Sequence, residues 1–331
     1  MAGIENLLPQ YVDSTMISCA RQCLEKFRLE FCWGLRPPGI SIDLHAGACY
    51  ATAIEATLRG IHEKNLSLDD ALERAHFAFL VAWGDVQMPE NSRNAKTLDR
   101  VWQAVSNPEG DTENRGYFDI YSPHTDPLQP YFDASGLPTL EYTFSVPLEP
   151  CSRINDGTSF PLHPDGSPFL YSGRFDMLGR LGGRAKPVVK DDKTTGYAMG
   201  ADWAARWNLR SQFLGYVWAC QQCGIDLDTV LVRGVGILKT KIHHAEAEKT
   251  YSSFLIDRWH EQLRRDLWRI RQAWDSGYFD FNLGESCTAY GNCMFMDVCQ
   301  SRSAENWYNS YEVRRWNPLQ KNPIAAAKVA A

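Results

Sequence analysis

The sequence predicts an α/β chain, and three patterns predict it. Apolar residues recur at helical spacing through the first third of the chain. Strand patterns follow near 139–146, 169–178, 187–193 and 230–238, with two-residue alternation or β-branched runs. A helical stretch at about 201–223 separates the last two strands, and a long amphipathic one at about 254–276 comes after them. With 331 residues, 44% of them hydrophobic, the chain can bury a sizeable core. Its net charge of −6 excludes a blanket basic coat, so nucleic-acid binding would have to use local patches. No apolar run approaches the roughly 20 residues that a membrane span needs. Met1 to Asn6 lack the basic and apolar segments of a signal peptide, so a cytoplasmic protein is expected. In that compartment its ten cysteines are not expected to form a disulfide framework.

Asp13 or Ser14 can cap a first helix running to about Trp33, which Gly34 and Pro37-Pro38-Gly39 end. A second helix is expected from His45 to about Glu63, with small residues on its packed face. Ser67 can cap a third from Leu68 to Trp83, and a fourth runs from about Ser92 to Val105. Prolines and glycines then read as an ordered, aromatic-rich loop over 106–137. Gly182-Gly183 makes the turn that joins the second and third strands as a hairpin. The segment after the long helix is loop-like, and the alanine-rich tail from Ala325 reads as a frayed end. The expected organisation is a helical N-terminal region over 1–105, a connector over 106–138, a catalytic core over 139–245, and a long helix with a cysteine-bearing segment over 246–331.

The chemistry centres on Val188-Val189-Lys190-Asp191-Asp192-Lys193. On a strand, alternation points Asp191 and Lys193 one way and Asp192 the other. Taken alone, such a pair is more often a solvated surface pair than a site. Asp176, at the end of the preceding strand, changes that reading, because the hairpin can set it beside Asp191 and Lys193. Two carboxylates and a backbone carbonyl suit Mg²⁺ or Mn²⁺, which prefer oxygen ligands. The lysine can offset charge at a phosphorus. Downstream, Gln212 and Tyr216 share one helical face.

Gly173-Arg174-Phe175-Asp176, then Asp191-Asp192-Lys193-Thr194, then Gln212 and Tyr216 four apart, resemble the PD-(D/E)XK nuclease superfamily, most closely its RecB-type exonuclease branch. The order of elements matches over about residues 14 to 320, as does Glu141 in a strand before the Asp176 strand. The resemblance implies a restriction-endonuclease-like core with a central mixed β-sheet flanked by helices. It implies Asp176, Asp191 and Glu141 as metal-site acids, Lys193 as the catalytic lysine, and Gln212 and Tyr216 as supporting or DNA-contacting residues. One departure is Ala51, which stands where many of these nucleases carry a metal-binding histidine; His45 lies six residues earlier. One metal site rather than two is therefore implied, as in phage-encoded members lacking that histidine.

Cys287, Cys293 and Cys299 stand at equal spacing in a loop with Gly284 and Gly291. Three thiolates need a fourth ligand to complete a zinc site or a cubane cluster. The RecB-type branch includes iron–sulfur nucleases, AddB-like and CRISPR-associated, with one cysteine near the N-terminus and three after the core. The resemblance implies a structural [4Fe–4S] cluster on Cys23, Cys287, Cys293 and Cys299, with Cys19 and Cys32 as alternatives for the first position and Zn²⁺ as the alternative metal. Cys220 and Cys223, late in a helix, read as packing residues, as do Cys49 and Cys151. Arg174, two before Asp176, is the basic side chain most expected near phosphate. Lys239, Lys241, His243 and His244 are further candidates. The arginines at 258, 264, 265, 269 and 271 read as a solvated helix face. The expected activity is a metal-dependent DNA nuclease, an exonuclease rather than an endonuclease, with DNA as partner. Its expected setting is phage or host recombination and repair in a bacterial cytoplasm. The alternative is a DNA-binding or complex-forming protein on the same fold with a degraded site.

Overall fold

The computed structural model describes residues 5–86, 94–149, 159–289 and 292–320. Ser92, Cys151, Gly291 and the tail from Ala325, all named above, lie outside the described residues. In chain order, β1 (Tyr11–Val12), α1 (Ser14–Gln22), α2 (Leu24–Phe27) and β2 (Leu35–Arg36) precede α3 (Ile42–Lys64), α4 (Leu68–Trp83) and α5 (Leu98–Val105). Next come α6 (Tyr117–Ile120), β3 (Leu128–Pro130), β4 (Leu140–Pro147), β5 (Leu170–Leu181) and β6 (Val188–Thr195). They are followed by α7 (Ser211–Gln222), β7 (Thr229–Ile237), β8 (Ile242–Thr250) and α8 (Ser253–Ser276), then α9 (Glu285–Thr288), α10 (Met296–Gln300) and β9 (Glu312–Val313). The chain is α/β with a central mixed sheet and flanking helices, as its sequence predicts. Among the described residues no helix is long and apolar enough to cross a membrane.

Two compact units interleave in sequence. The described parts of 40–142 and 175–251 form a sheet unit, and those of 1–39, 143–174 and 252–331 form a cysteine unit. In the sheet unit β5 and β6 pair antiparallel, with Met177 opposite Lys190. β6 and β7 pair parallel, from Val189 beside Val230 to Thr195 beside Gly236. β8 closes the edge antiparallel to β7, and β3 adds to the other side of β5. Leu231, Val235, Ile237, Val188 and Met177 pack against Ala46, Tyr50, Phe79, Val101 and Tyr117 from the helices on one face. Alternation turns Gly234 to the other face, where a Cβ would stand 2.4 Å from the Trp203 ring and 2.6 Å from the Met199 sulfur. Only glycine lets that loop lie so close to the strand.

Several elements differ from expectation. The first helix breaks at Cys23, whose extended backbone (φ −166°) ends α1 and whose sulfur accepts the Lys26 N–H to start α2. The expected helix from Ala201 to Cys223 is a 3₁₀ turn at Ala201–Trp207 followed by α7. The 106–137 stretch contains α6 and β3. β8 was not expected at all. Its polar alternation, with Glu246 and Glu248 facing out, is that of an edge strand with one wet face.

In the cysteine unit β1 runs parallel to the first residues of β5, and Asp13 caps α1 by accepting the Met16 N–H at 2.8 Å and the Trp316 indole N–H at 2.9 Å. Arg21 pairs with Asp266 of α8 at 2.6 Å. On α8, Arg264 and Arg265 pair with Glu261 and Arg271 with Asp275, which accounts for three of the five arginines of that face. His260 is 4% exposed against Phe160, and burial pulls its imidazole down to about 4, with Asp257 and Glu261 opposing. A depressed histidine contributes stability above about pH 6.5 that is lost as the pH falls toward 4, on the order of 3 kcal/mol here. Asp13, pushed up to about 6 chiefly by burial, has the opposite sign and is lost as the pH rises. The stability difference between wild type and His260→Leu should therefore shift against the wild type by up to about 3 kcal/mol between pH 7 and 4. Urea unfolding across that range measures it, and a constant difference would refute the assignment.

Candidate active site and cysteine cluster

At the β5–β6 edge of the sheet unit, the Asp192 backbone N–H donates to Asp176 Oδ2 at 2.5 Å, past the last paired residues Met177 and Lys190. The Asp176 carboxylate thus takes the place of a ladder bond between the two strands. Asp191 is 3% exposed, and its Oδ2 lies 2.5 Å from Lys193 Nζ. Burial pushes Asp191 up to about 6, Lys193 opposes and Asp176 adds. Asp176 is also raised, by burial first and then by Asp192, with Lys190 opposing. Burial raises both acids further than the neighbouring lysines lower them, so their negative charge is only partly offset, the condition a divalent cation relieves. Lys193 is about one-third exposed, so its ammonium can meet a ligand, and it also lies 5.7 Å from the Phe213 ring centroid of α7. On that helix Gln212 Nε2 donates to the Tyr216 hydroxyl at 2.8 Å, and Tyr216 packs on Phe175.

The opposite face of β6 carries what sequence reasoning missed. Lys190 is fully buried and ion-paired with Asp192, whose side chain is 5% exposed. Burial disfavours the Lys190 charge, but Asp192, Tyr117 and Asp176 outweigh it and hold the ammonium protonated. Its Nζ sits 4.9 Å from the Tyr117 ring centroid. Beside Asp192 in register is Arg233, 3% exposed, which grips Asp126 at 2.6 and 2.7 Å, Glu246 at 2.8 Å and the Tyr117 hydroxyl at 2.8 Å. The available signal was an arginine inside the apolar strand Thr229–Ile237, every residue of which is buried.

Other expected residues fall elsewhere. Among the described residues no three His, Cys, Asp or Glu side chains gather tightly enough to hold one metal ion, so Glu141 does not complete a three-acid group with Asp176 and Asp191. Its backbone is in the left-handed region (φ +51°), which interrupts the alternation of β4 at that residue. His45 bonds the Trp83 carbonyl at 3.0 Å. Gly47 passes close to β6, where an added Cβ would stand 3.1 Å from Thr194 Oγ1. Arg174 belongs to the cysteine unit. His244 is committed to the Arg115 carbonyl at 2.9 Å. Cys220 is buried as a packing residue, whereas Cys223 is exposed.

In the cysteine unit the chain ends are tied together near Cys23. Glu25 N–H donates to the Asp280 carbonyl at 3.2 Å, and Asn282 Nδ2 donates to the Gln22 carbonyl at 2.7 Å. Cys293 N–H donates to the Cys287 carbonyl at 2.7 Å, and Phe295 anchors the segment in a small core with Leu29, Leu35 and Val298. Burial pushes the Cys299 thiol up to about 11, and Cys293, Glu25, Cys23 and Cys287 all add to that shift, so Cys299 lies within electrostatic reach of the other three thiols. Cys19 and Cys32 are buried: Cys19 donates to Glu30 at 3.5 Å and also feels the Cys23 thiol, and burial pushes Cys32 up to about 12.

No family model matches the sequence, and no curated protein matches it. Among solved structures the chain is similar to a protein of Eubacterium rectale provisionally named an exonuclease, at 10% identity over 84% of this chain and 87% of that one, with a TM-score of 0.46. It is similar also to the protein SSO0001, at 12% identity over 77% of this chain and 75% of that one, with a TM-score of 0.28.

Proposed function

We propose that the chain is a Mg²⁺- or Mn²⁺-dependent deoxyribonuclease, an exonuclease rather than an endonuclease, acting in phage or host DNA recombination, repair or defence. The observation that supports this reading is the meeting of Asp176, Asp191 and Lys193 at one sheet edge, with both acids raised, chiefly by burial and then by a neighbouring carboxylate, Asp192 for Asp176 and Asp176 for Asp191. Asp176 and Asp191 would hold the cation. When bound, it supplies Lewis acidity toward a phosphoryl oxygen and a lowered pKa for its water. The Asp192 N–H fixes one Asp176 oxygen, leaving the other for a ligand. Lys193 presents a partly exposed ammonium to the phosphodiester and offsets charge that grows at phosphorus. Gln212 and Tyr216 brace α7 behind the lysine.

The test is digestion of linear DNA labelled at the 5′ or 3′ end, single- and double-stranded, with Mg²⁺, Mn²⁺ or EDTA. Cation-dependent release of short labelled products is expected. Intact DNA across an enzyme titration would favour the second reading, a non-catalytic DNA-binding protein, which the Ala51 position and the missing third acid support.

We also propose that Cys23, Cys287, Cys293 and Cys299 hold a [4Fe–4S] cluster that staples the two ends of the cysteine unit. Closing so long a loop restricts the unfolded chain. Anaerobically purified protein should show a broad visible absorbance and about four irons per chain. Cys299→Ser should lose both, together with several kcal/mol of stability, on the scale of a structural metal site. Stoichiometric zinc with no visible band would overturn the assignment.

A further inference from the structure

Lys190 and Asp192 form a buried ion pair directly behind the proposed cation site, and nothing in the proposed chemistry uses it. Such a pair is a weak source of stability, because desolvating both charges offsets their attraction, and apolar residues of similar volume commonly do as well. Its position suggests a different purpose. Asp192 is joined by one peptide bond to Asp191, and its own N–H is the donor that holds the Asp176 carboxylate at 2.5 Å. Lys190 has no freedom of its own: it is 0% exposed, packed over Tyr117, and Tyr117 is bonded in turn by Arg233. Asp192 and Arg233 are register partners on adjacent parallel strands, and Arg233 is locked by Asp126 and Glu246. Lys190, itself held against Tyr117, therefore fixes the side chain of Asp192 through Oδ2 and, through it, the orientation of the Asp192 peptide.

We propose that Lys190 is a positioning residue: by clamping the Asp192 side chain it aims the Asp192 N–H at Asp176 and so sets the spacing of the two carboxylates that would share a cation. This rests on the nuclease reading of Asp176 and Asp191. Removing the pair should loosen that spacing without touching a ligand, and outer-shell partners of this kind typically matter by about 10–100-fold in metal affinity.

The experiment compares wild type, Asp192→Asn, and the double variant Lys190→Met with Asp192→Leu, which replaces both charges by apolar volume. Unfolding midpoints, Mn²⁺ titration followed by electron paramagnetic resonance, hydrogen exchange of the residue-192 amide, and kcat and KM on DNA are measured for each. The expected result is folded variants with Mn²⁺ affinity weakened about tenfold or more, faster exchange of the residue-192 amide, and a fall in kcat at unchanged KM. Folded variants with wild-type Mn²⁺ affinity and amide protection would overturn the proposal while leaving the nuclease reading intact. Unfolding of both variants would also overturn it, by making the pair a stability element. A wild-type protein that neither binds Mn²⁺ nor cleaves DNA would instead remove the reading on which the proposal stands.

Discussion

On the proposed nuclease reading, Lys193→Ala should lower the cation-dependent cleavage rate by about two to three orders of magnitude, the usual scale for removing one group that stabilises charge in the transition state. The fold should survive, because the side chain is about one-third exposed and its ion pair is with Asp191 alone among the described residues. Mn²⁺ binding should survive as well or tighten, since the alanine removes a positive neighbour from a cation site. The combination is diagnostic: lost turnover with retained binding assigns Lys193 to chemistry. Lys193→Arg keeps the charge but changes its shape and donor geometry, and should recover only part of the rate. Single-turnover cleavage beside a Mn²⁺ titration measures both, and undiminished turnover by the alanine variant would sink the site assignment.

Arg233→Met should destabilise the sheet unit by about 3–5 kcal/mol, because it strands a buried carboxylate instead of removing a whole pair. Asp126, with a side chain 7% exposed, would lose both of its guanidinium contacts, and the Tyr117 hydroxyl would lose its donor. Glu246, 40% exposed, can turn to water and contributes less. Adding Asp126→Leu should return most of the loss, since the orphaned charge then disappears with its partner. Urea unfolding of the two variants provides the comparison. A single variant within 1 kcal/mol of wild type, or a double variant no better than the single, would refute this account.

Much of the active-site side of the molecule was legible because strand alternation is a strict rule. It placed Asp191 and Lys193 on one face and Asp192 on the other, and helical spacing placed Gln212 beside Tyr216. The helix Leu68–Trp83 was legible to the residue, because Ser67 caps it and Trp83 ends its apolar stripe. The opposite face of β6 was not legible. A lysine between two valines and an aspartate gives no sign of full burial, since the Tyr117 ring that covers it comes from a remote segment. The left-handed backbone of Glu141 was not legible either, since a positive φ at a non-glycine residue leaves no mark in an alternating pattern. The single helix expected from Asp13 to Trp33 failed because an apolar period cannot reveal that one cysteine adopts an extended backbone and recaps the chain with its sulfur.

The ties between residues 22–25 and 280–282 also bear on how the protein is made. During synthesis the first segment emerges with Leu24, Phe27, Leu29 and Phe31 ready for burial, while Phe279, Phe295 and Val298 are still untranslated. At ~5–20 residues per second, those apolar side chains wait for roughly 10–50 seconds before their partners leave the ribosome. Nascent chains therefore pass through an interval in which the N-terminal segment is a target for chaperones or for other nascent chains, and that interval lengthens wherever translation slows before residue 280.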